Sequence, residues 1–282
     1  MLQVSRRSVL TATAGLFLAG SARAQTRPRT LAYGADARQQ LDLYGPYGDE
    51  RPAPILMFLP GGGWRTHERT DVWDLPRFAA RQGMLFVCAD YRAMPGNGAR
   101  AQAQDAAAAV AWVRANAAAH GGDPDRLFVM GHSAGGHLAA LINCDPTYLA
   151  AHGLSPSDMA GVILLDGACY DAAQQRRFLQ AHSRTADYFE VLFEGLMEAF
   201  TPADLVTDLT PTAPILMLFA ASRPYAFDQN HAFARALRAA GRPYRLVEDR
   251  QATHVSMAQA FGRHGDRMGR VAAAFIRTGE LR

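Results

Sequence analysis

The sequence contains no lysine; all 29 of its basic residues are arginine. That excludes Ser–Lys dyads, Schiff-base lysines and Walker-type phosphate lysines, each of which needs a primary amine. Cysteine is scarce. Cys88, Cys144 and Cys169 form no C-x-x-C pair and no clustered His/Cys spacing, so no metal site is expected. If the chain is exported, Cys144–Cys169 is the pair to test for a disulfide; the other reading is three small buried apolar residues. Net charge is also small, +3 over 282 residues. Arg6, Arg7 and Arg23 account for it, because residues 1–24 hold no acidic group, and removing them takes +3 to 0. The basic balance therefore gives no reason to expect a nucleic-acid partner. After residue 24 no apolar run is long and uncharged enough to span a bilayer, so no membrane span is expected once those residues are removed.

The first residues carry a pattern of their own. Ser5-Arg6-Arg7-Ser8-Val9-Leu10 is a twin-arginine pattern, followed by an apolar stretch over 11–20 and by Ala22-Arg23-Ala24, an A-x-A cleavage site. Residues 1–24 read as a bacterial export signal cut after Ala24, which predicts a periplasmic or secreted protein comprising 25–282. Apolar residues make up 49% and charged residues 20%, the balance of a globular domain.

Strand-like apolar runs at 41–44, 54–59, 84–88, 126–130, 159–165, 214–219 and 244–247 alternate with helical patterns at 74–82, 104–120, 135–143, 229–240 and 268–277. This alternation predicts an α/β fold, a mostly parallel central sheet flanked by helices. Residues 171–212 interrupt it with a helical pattern and the aromatics Phe178, Tyr188, Phe189, Phe193 and Phe200. An insertion this long between two strands is expected to act as a helical cap, or else to pack as a helix pair on the sheet.

Gly131-His132-Ser133-Ala134-Gly135-Gly136-His137 contains G-x-S-x-G between a strand-like run and a small-residue helix. A serine on so sharp a turn projects its hydroxyl above the sheet edge, so Ser133 is the candidate nucleophile. A serine hydroxyl is weak near neutral pH and needs a base and oxyanion donors. Nine histidines compete for the base. His254 follows the last strand by a short loop and is the candidate. His264 lies further on, in a helical pattern. Of His132 and His137, one is expected to shape the substrate pocket and the other to pack locally. His67, His120, His152, His182 and His231 read as loop or helix-surface residues. The backbone N–H of Ala134 and that of Gly62 or Gly63, in the glycine run after an early strand, are the candidate oxyanion donors. Trp64 and the aromatics of 171–212 are expected to line an apolar pocket.

The orienting acid is open. The usual place is the loop after the strand at 214–219, yet positions 222–225 hold no carboxylate. Asp228 is the first one available, at an expected helix N-cap. Asp166, at the end of the preceding strand, is the preferred candidate, since a carboxylate closing an apolar strand needs a partner and the imidazole N–H of His254 can be one; Asp228 is the alternative.

Together these residues resemble the bacterial carboxylesterase branch of the α/β-hydrolases, which includes feruloyl and acetyl-xylan esterases and arylformamidase-like and hormone-sensitive-lipase-like enzymes. The resemblance covers nearly all of 25–282. It rests on Tyr33-Gly34 with Leu41-Asp42-Leu43-Tyr44, Gly61-Gly62-Gly63-Trp64, Asp90-Tyr91-Arg92, Gly121-Gly122-Asp123-Pro124-Asp125-Arg126 and the Ser133 motif. It implies a serine esterase acting on a small-molecule ester through an acyl-enzyme, without a cofactor. In it Asp90-Tyr91-Arg92 and the Asp123 turn would be structural. Two departures stand out: Pro60 replaces the histidine that usually precedes the glycines, and the acid loop is changed. An amidase or formamidase, and a degenerate hydrolase fold used for binding, are the alternative readings.

Overall fold

The computed structural model describes residues 27–48, 52–181 and 186–282. The expected export signal at 1–24 lies outside them. Eight strands form one sheet: β1 (Arg29–Ala32), β2 (Gln40–Tyr44), β3 (Ala53–Leu59), β4 (Leu85–Ala89), β5 (Gly122–His132), β6 (Gly161–Leu165), β7 (Ile215–Ala220) and β8 (Tyr244–Asp249). Their order is β1-β2-β4-β3-β5-β6-β7-β8, antiparallel at β1–β2–β4 and parallel from β4 onward.

Every residue of β3, β4, β6 and β7 is buried, as a parallel sheet covered on both faces requires. The period of two divides these residues between two cores. Ile55, Met57 and Leu59 of β3 enter one, Leu56 and Phe58 the other. The helices are α1 (Leu75–Arg81), α2 (Ala99–Asn116), α3 (Ala134–Cys144), α4 (Pro146–Ala150), α5 (Ala172–Ala181), α6 (Ala186–Leu192), α7 (Pro202–Leu205), α8 (Pro224–Ala239), α9 (His254–Ala260) and α10 (Arg267–Thr278). α1, α9 and α10 cover the Leu56 face, while α2, α3, α4 and α8 cover the Ile55 face. The sheet flanked by helices agrees with the alternation read from the sequence.

Three elements differ from expectation. β1 is mostly exposed and has no apolar run to announce it. α2 starts five residues before the predicted 104, from Gly98 as N-cap, because Ala99 and Ala103 face the core through its first turn. α8 starts at Pro224 rather than 229, since proline suits the first helical position. Among the described residues no helix is long and apolar enough to cross a membrane, and no cluster of His, Cys, Asp or Glu is arranged to hold a metal ion.

Candidate active site

Strand register brings the first two groups together. His132 at the end of β5 pairs with Leu165 at the end of β6, so the next residues, Ser133 and Asp166, leave adjacent strand ends. The Ser133 N–H donates to Leu165 O at 3.1 Å and the Asp166 N–H to Leu218 O at 2.7 Å. Both residues have positive φ, 54° and 45°. For a residue with a side chain that conformation costs of order 1–3 kcal/mol and recurs at functional sites. The turn at Ser133 is possible only because its flanks lack side chains. A Cβ on Gly131 would lie 2.1 Å from Gly135 O, and one on Gly135 would lie 2.0 Å from Leu59 O.

His254 arrives from β8. Asp249 Oδ1 accepts the N–H groups of Gln251 and Ala252, shaping the loop, and Thr253 caps α9 through a reciprocal pair with Ser256. As the first residue of α9, His254 sets its Nε2 2.9 Å from Ser133 Oγ and its Nδ1 2.6 Å from Asp166 Oδ2. The structure therefore brings Ser133, His254 and Asp166 into one chain of contacts. It does not bring Asp228 to them. Because α8 begins at Pro224, Asp228 is neither the N-cap nor near His254. It is exposed on α8, in the wall of a cavity of about 440 Å³ with Phe178 and Tyr225.

Asp166 is fully buried. Burial alone would raise its carboxyl, but the hydrogen bond from His254, the Ala220 N–H at Oδ1 and the Arg223 charge hold it below the usual carboxylate range. Arg223 is the N-cap of α8, in the loop where the acid was first sought. Its Nη1 lies 2.5 Å from Asp166 Oδ2 and 2.8 Å from His254 Nδ1. The sequence reading missed it; its signal was a charged residue in that loop where a carboxylate was expected.

The glycine loop after β3 passes directly over Ser133. A Cβ on Gly61 would touch Ser133 Cβ at 2.8 Å, and Gly62 and Gly63 follow on the same turn. Ala134, first residue of α3, has an N–H with no helical partner. The loop is braced without the usual histidine. The Tyr91 hydroxyl donates to Pro60 O at 2.7 Å, Tyr188 donates to Gly63 O, and Gln102 Nε2 and the Met94 N–H reach Trp64 O.

Several expectations are corrected. Trp64 does not line an open pocket. It is 5% exposed, packed edge-on against Phe189, Phe193 and His137, with Nε1 donating to His137 Nδ1 at 3.3 Å. Phe193 and Phe200 are also buried, so these aromatics root 186–200 in the core. Neither flanking histidine faces open solvent. His137 is fully buried, with Nε2 2.6 Å from Phe200 O. His132 is buried and stacked on His254. Burial lowers both to about 4, so both are neutral at pH 7. His67 is not a surface residue; it is buried and stacked on Tyr91. His264 sits in a turn, not a helix, beside a surface cavity with Arg81. Cys144 and Cys169 are both buried and free rather than paired. Trp73 was missed: it is 42% exposed at φ 43°, its ring edge-on to His132. With Val255, 55% exposed next to His254, it gives the site an apolar rim.

The BD-FAE family profile matches residues 41–177. Esterase LipC of Mycobacterium tuberculosis is 33% identical over 229 residues, 76% of this chain and 56% of that protein. The isoprenylcysteine alpha-carbonyl methylesterase of Arabidopsis thaliana is 28% identical over 246 residues, 81% of this chain and 56% of that protein. The chain thus spans little more than half the length of these curated relatives. Among solved structures, an inhibited esterase B from Lactobacillus rhamnosis has the same fold, with a TM-score of 0.74 over 91% of this chain and 88% of that one, at 21% identity. Strand order, serine turn and solved structures agree: the chain has the α/β-hydrolase fold, and its sequence is similar to carboxylesterases.

Proposed function

We propose that the protein is a serine carboxylesterase that hydrolyses small or aromatic esters through an acyl-enzyme. The observation that carries this reading is the chain of contacts Ser133 Oγ–His254 Nε2 at 2.9 Å and His254 Nδ1–Asp166 Oδ2 at 2.6 Å. With the imidazole proton on Nδ1, the lone pair of Nε2 faces the serine hydroxyl. Ser133 Oγ attacks the ester carbonyl carbon while its proton passes to Nε2. The ionised Asp166 stabilises the imidazolium and takes no proton. The oxyanion accepts the Ala134 N–H and an N–H from Gly62 or Gly63, each such donor being worth about 2.7–4 kcal/mol in systems of this kind. Collapse expels the alcohol, which takes the proton from Nε2. Water then repeats the sequence to release the acid. The names of the relatives, an esterase and a methylesterase, favour ester over amide cleavage. Trp73 and Val255 offer apolar contact beside the triad for a small acyl or aromatic group.

The test is labelling with a fluorophosphonate probe and turnover of p-nitrophenyl acetate, beside Ser133→Ala. Labelling at Ser133 and turnover that vanishes in the variant are expected; wild-type protein that neither labels nor turns over would favour a binding module. A panel of acyl lengths and feruloyl esters then ranks substrates. The export reading of 1–24 is proposed alongside, and N-terminal sequencing of protein recovered from the periplasm should begin at Gln25.

A further inference from the structure

Three atoms at the back of the triad form a closed triangle. Asp166 Oδ2, His254 Nδ1 and Arg223 Nη1 are separated by 2.6, 2.8 and 2.5 Å around its edges. A neutral imidazole cannot make all three edges hydrogen bonds. With its proton on Nδ1, it donates to Oδ2, and Arg223 also donates to Oδ2, but two N–H donors then meet along the Nη1–Nδ1 edge. With its proton on Nε2, Arg223 donates to both Oδ2 and Nδ1, while two lone pairs meet along the Nδ1–Oδ2 edge. The second arrangement is unproductive, because Nε2–H then points at Ser133 and no lone pair is free to take the serine proton.

In a triad without this arginine, Nδ1 has only the carboxylate to face, and that fixes the productive tautomer. Here the guanidinium gives the unproductive tautomer a donor of its own. It also neutralises part of the charge by which Asp166 stabilises the imidazolium. Its benefit lies elsewhere. Asp166 is fully buried, its Oδ1 is held by the Ala220 N–H, and a buried carboxylate needs a counter-charge. The Arg223 side chain is about one-third exposed, so it can supply that charge from the solvent edge at modest desolvation cost.

We propose that Arg223 is a positioning residue that acts as a brake: it holds Asp166 in place and stabilises the folded site, at the expense of the productive form of His254. The inference rests on the esterase reading of the same triad. Under it, removing the guanidinium moves activity and stability in opposite directions. A purely structural arginine would lower both, and a helper of the chemistry would lower kcat at unchanged Tm.

The experiment uses the full-length protein and its variants Arg223→Met and Arg223→Gln. Measured on p-nitrophenyl acetate, Arg223→Met should raise kcat by about threefold to tenfold, a tenfold gain being about 1.4 kcal/mol, with KM unchanged. Its Tm should fall. Arg223→Gln keeps an N–H for Asp166 without the charge and should lie between Met and wild type on both scales, which keeps the test alive if the methionine variant does not fold. A fall in kcat in the variants overturns the proposal. An independent reading comes from 15N NMR of histidine-labelled protein, with His254 assigned by its loss in His254→Ala. The wild type should show an Nε2-protonated population that shrinks in the variants. His254 protonated wholly at Nδ1 in wild type overturns the brake. Because this spectrum needs no turnover, it separates failure of the brake from failure of the esterase reading.

Discussion

On one side of the Ser133 hydroxyl the chain folds tightly on itself; on the other, three separate strand ends must meet. The nucleophile side is backbone geometry, with Gly61 against Ser133 Cβ, Gly131 against Gly135, and Gly135 against Leu59. The acid side is made of side chains from the ends of β6, β7 and β8, and Asp166, Arg223 and His254 meet only because those strands are neighbours. Local geometry can be written as a short motif, whereas a meeting of strand ends depends on the register of the whole sheet. The two sides should therefore respond differently to substitution.

The largest effects are chemical. Ser133→Ala should lower kcat by on the order of 10⁶-fold, and Asp166→Asn by about 10⁴-fold, the losses seen for a nucleophile and an orienting acid elsewhere. Asp228→Asn, on an exposed face of α8, should stay within about twofold by the same reasoning on exposed sites. Steady-state kinetics on one ester checks all three, and equal losses in the two aspartate variants would break the assignment of the acid side.

Next comes a backbone effect confined to the nucleophile side. Gly135→Ala places a Cβ 2.0 Å from Leu59 O, a backbone atom that cannot step aside without shifting β3. Destabilisation by about 3 kcal/mol or more is expected, in the range that named core clashes produce. Denaturant titration reads it; an unchanged midpoint would mean that the turn is looser than these distances imply. A smaller loss should follow Tyr91→Phe, which leaves the buried Pro60 O without its donor at a cost of about 1–3 kcal/mol. This loss should come with a lower kcat if the Tyr91 bond is what braces the oxyanion loop in place of the usual histidine.

The same contrast explains what was legible in the sequence. The strands β3, β4, β6 and β7 announce themselves as apolar runs because they are buried on both faces. The serine turn and glycine loop are local and were readable residue by residue. The acid was readable only as a preference for Asp166 over Asp228, because the two differ in which strand end lies beside His254, a property of the sheet rather than of either residue. Misplacing the start of α8 by five residues also hid Asp228's true setting, in the helix rather than at its cap. Trp64 was read as a pocket residue because a large aromatic after a glycine loop carries no sign of being covered. It is covered by Phe189 and Phe193, more than a hundred residues away in the chain.

The last comparison separates the two sides by pH. His132 and His137 flank the nucleophile, and His67 lies beneath the glycine loop's continuation; burial lowers each from 6.5 to about 4. In the unfolded chain each imidazole takes up a proton as the pH falls below 6.5, whereas in the fold it stays neutral until about 4. Between those values the unfolded chain binds more protons, so acidification favours unfolding, by up to about 1.4 kcal/mol per pH unit for each histidine. Asp166 acts in the same direction but in a lower pH window. Its carboxyl is held below the usual range, so the stability it confers is intact above the ordinary carboxylate value of 3.8 and is lost only as the pH falls further, through its own lower value. Tm should therefore decline from pH 6.5 toward 4 because of the nucleophile side, and the acid side should add to the decline only below that window. Replacing His137 by Gln, which cannot take up a proton, should flatten the slope between pH 6.5 and 4, and Asp166→Asn should leave that slope alone. A Tm that is level across that interval in the wild type would mean that these imidazoles are more accessible to protons than their burial implies.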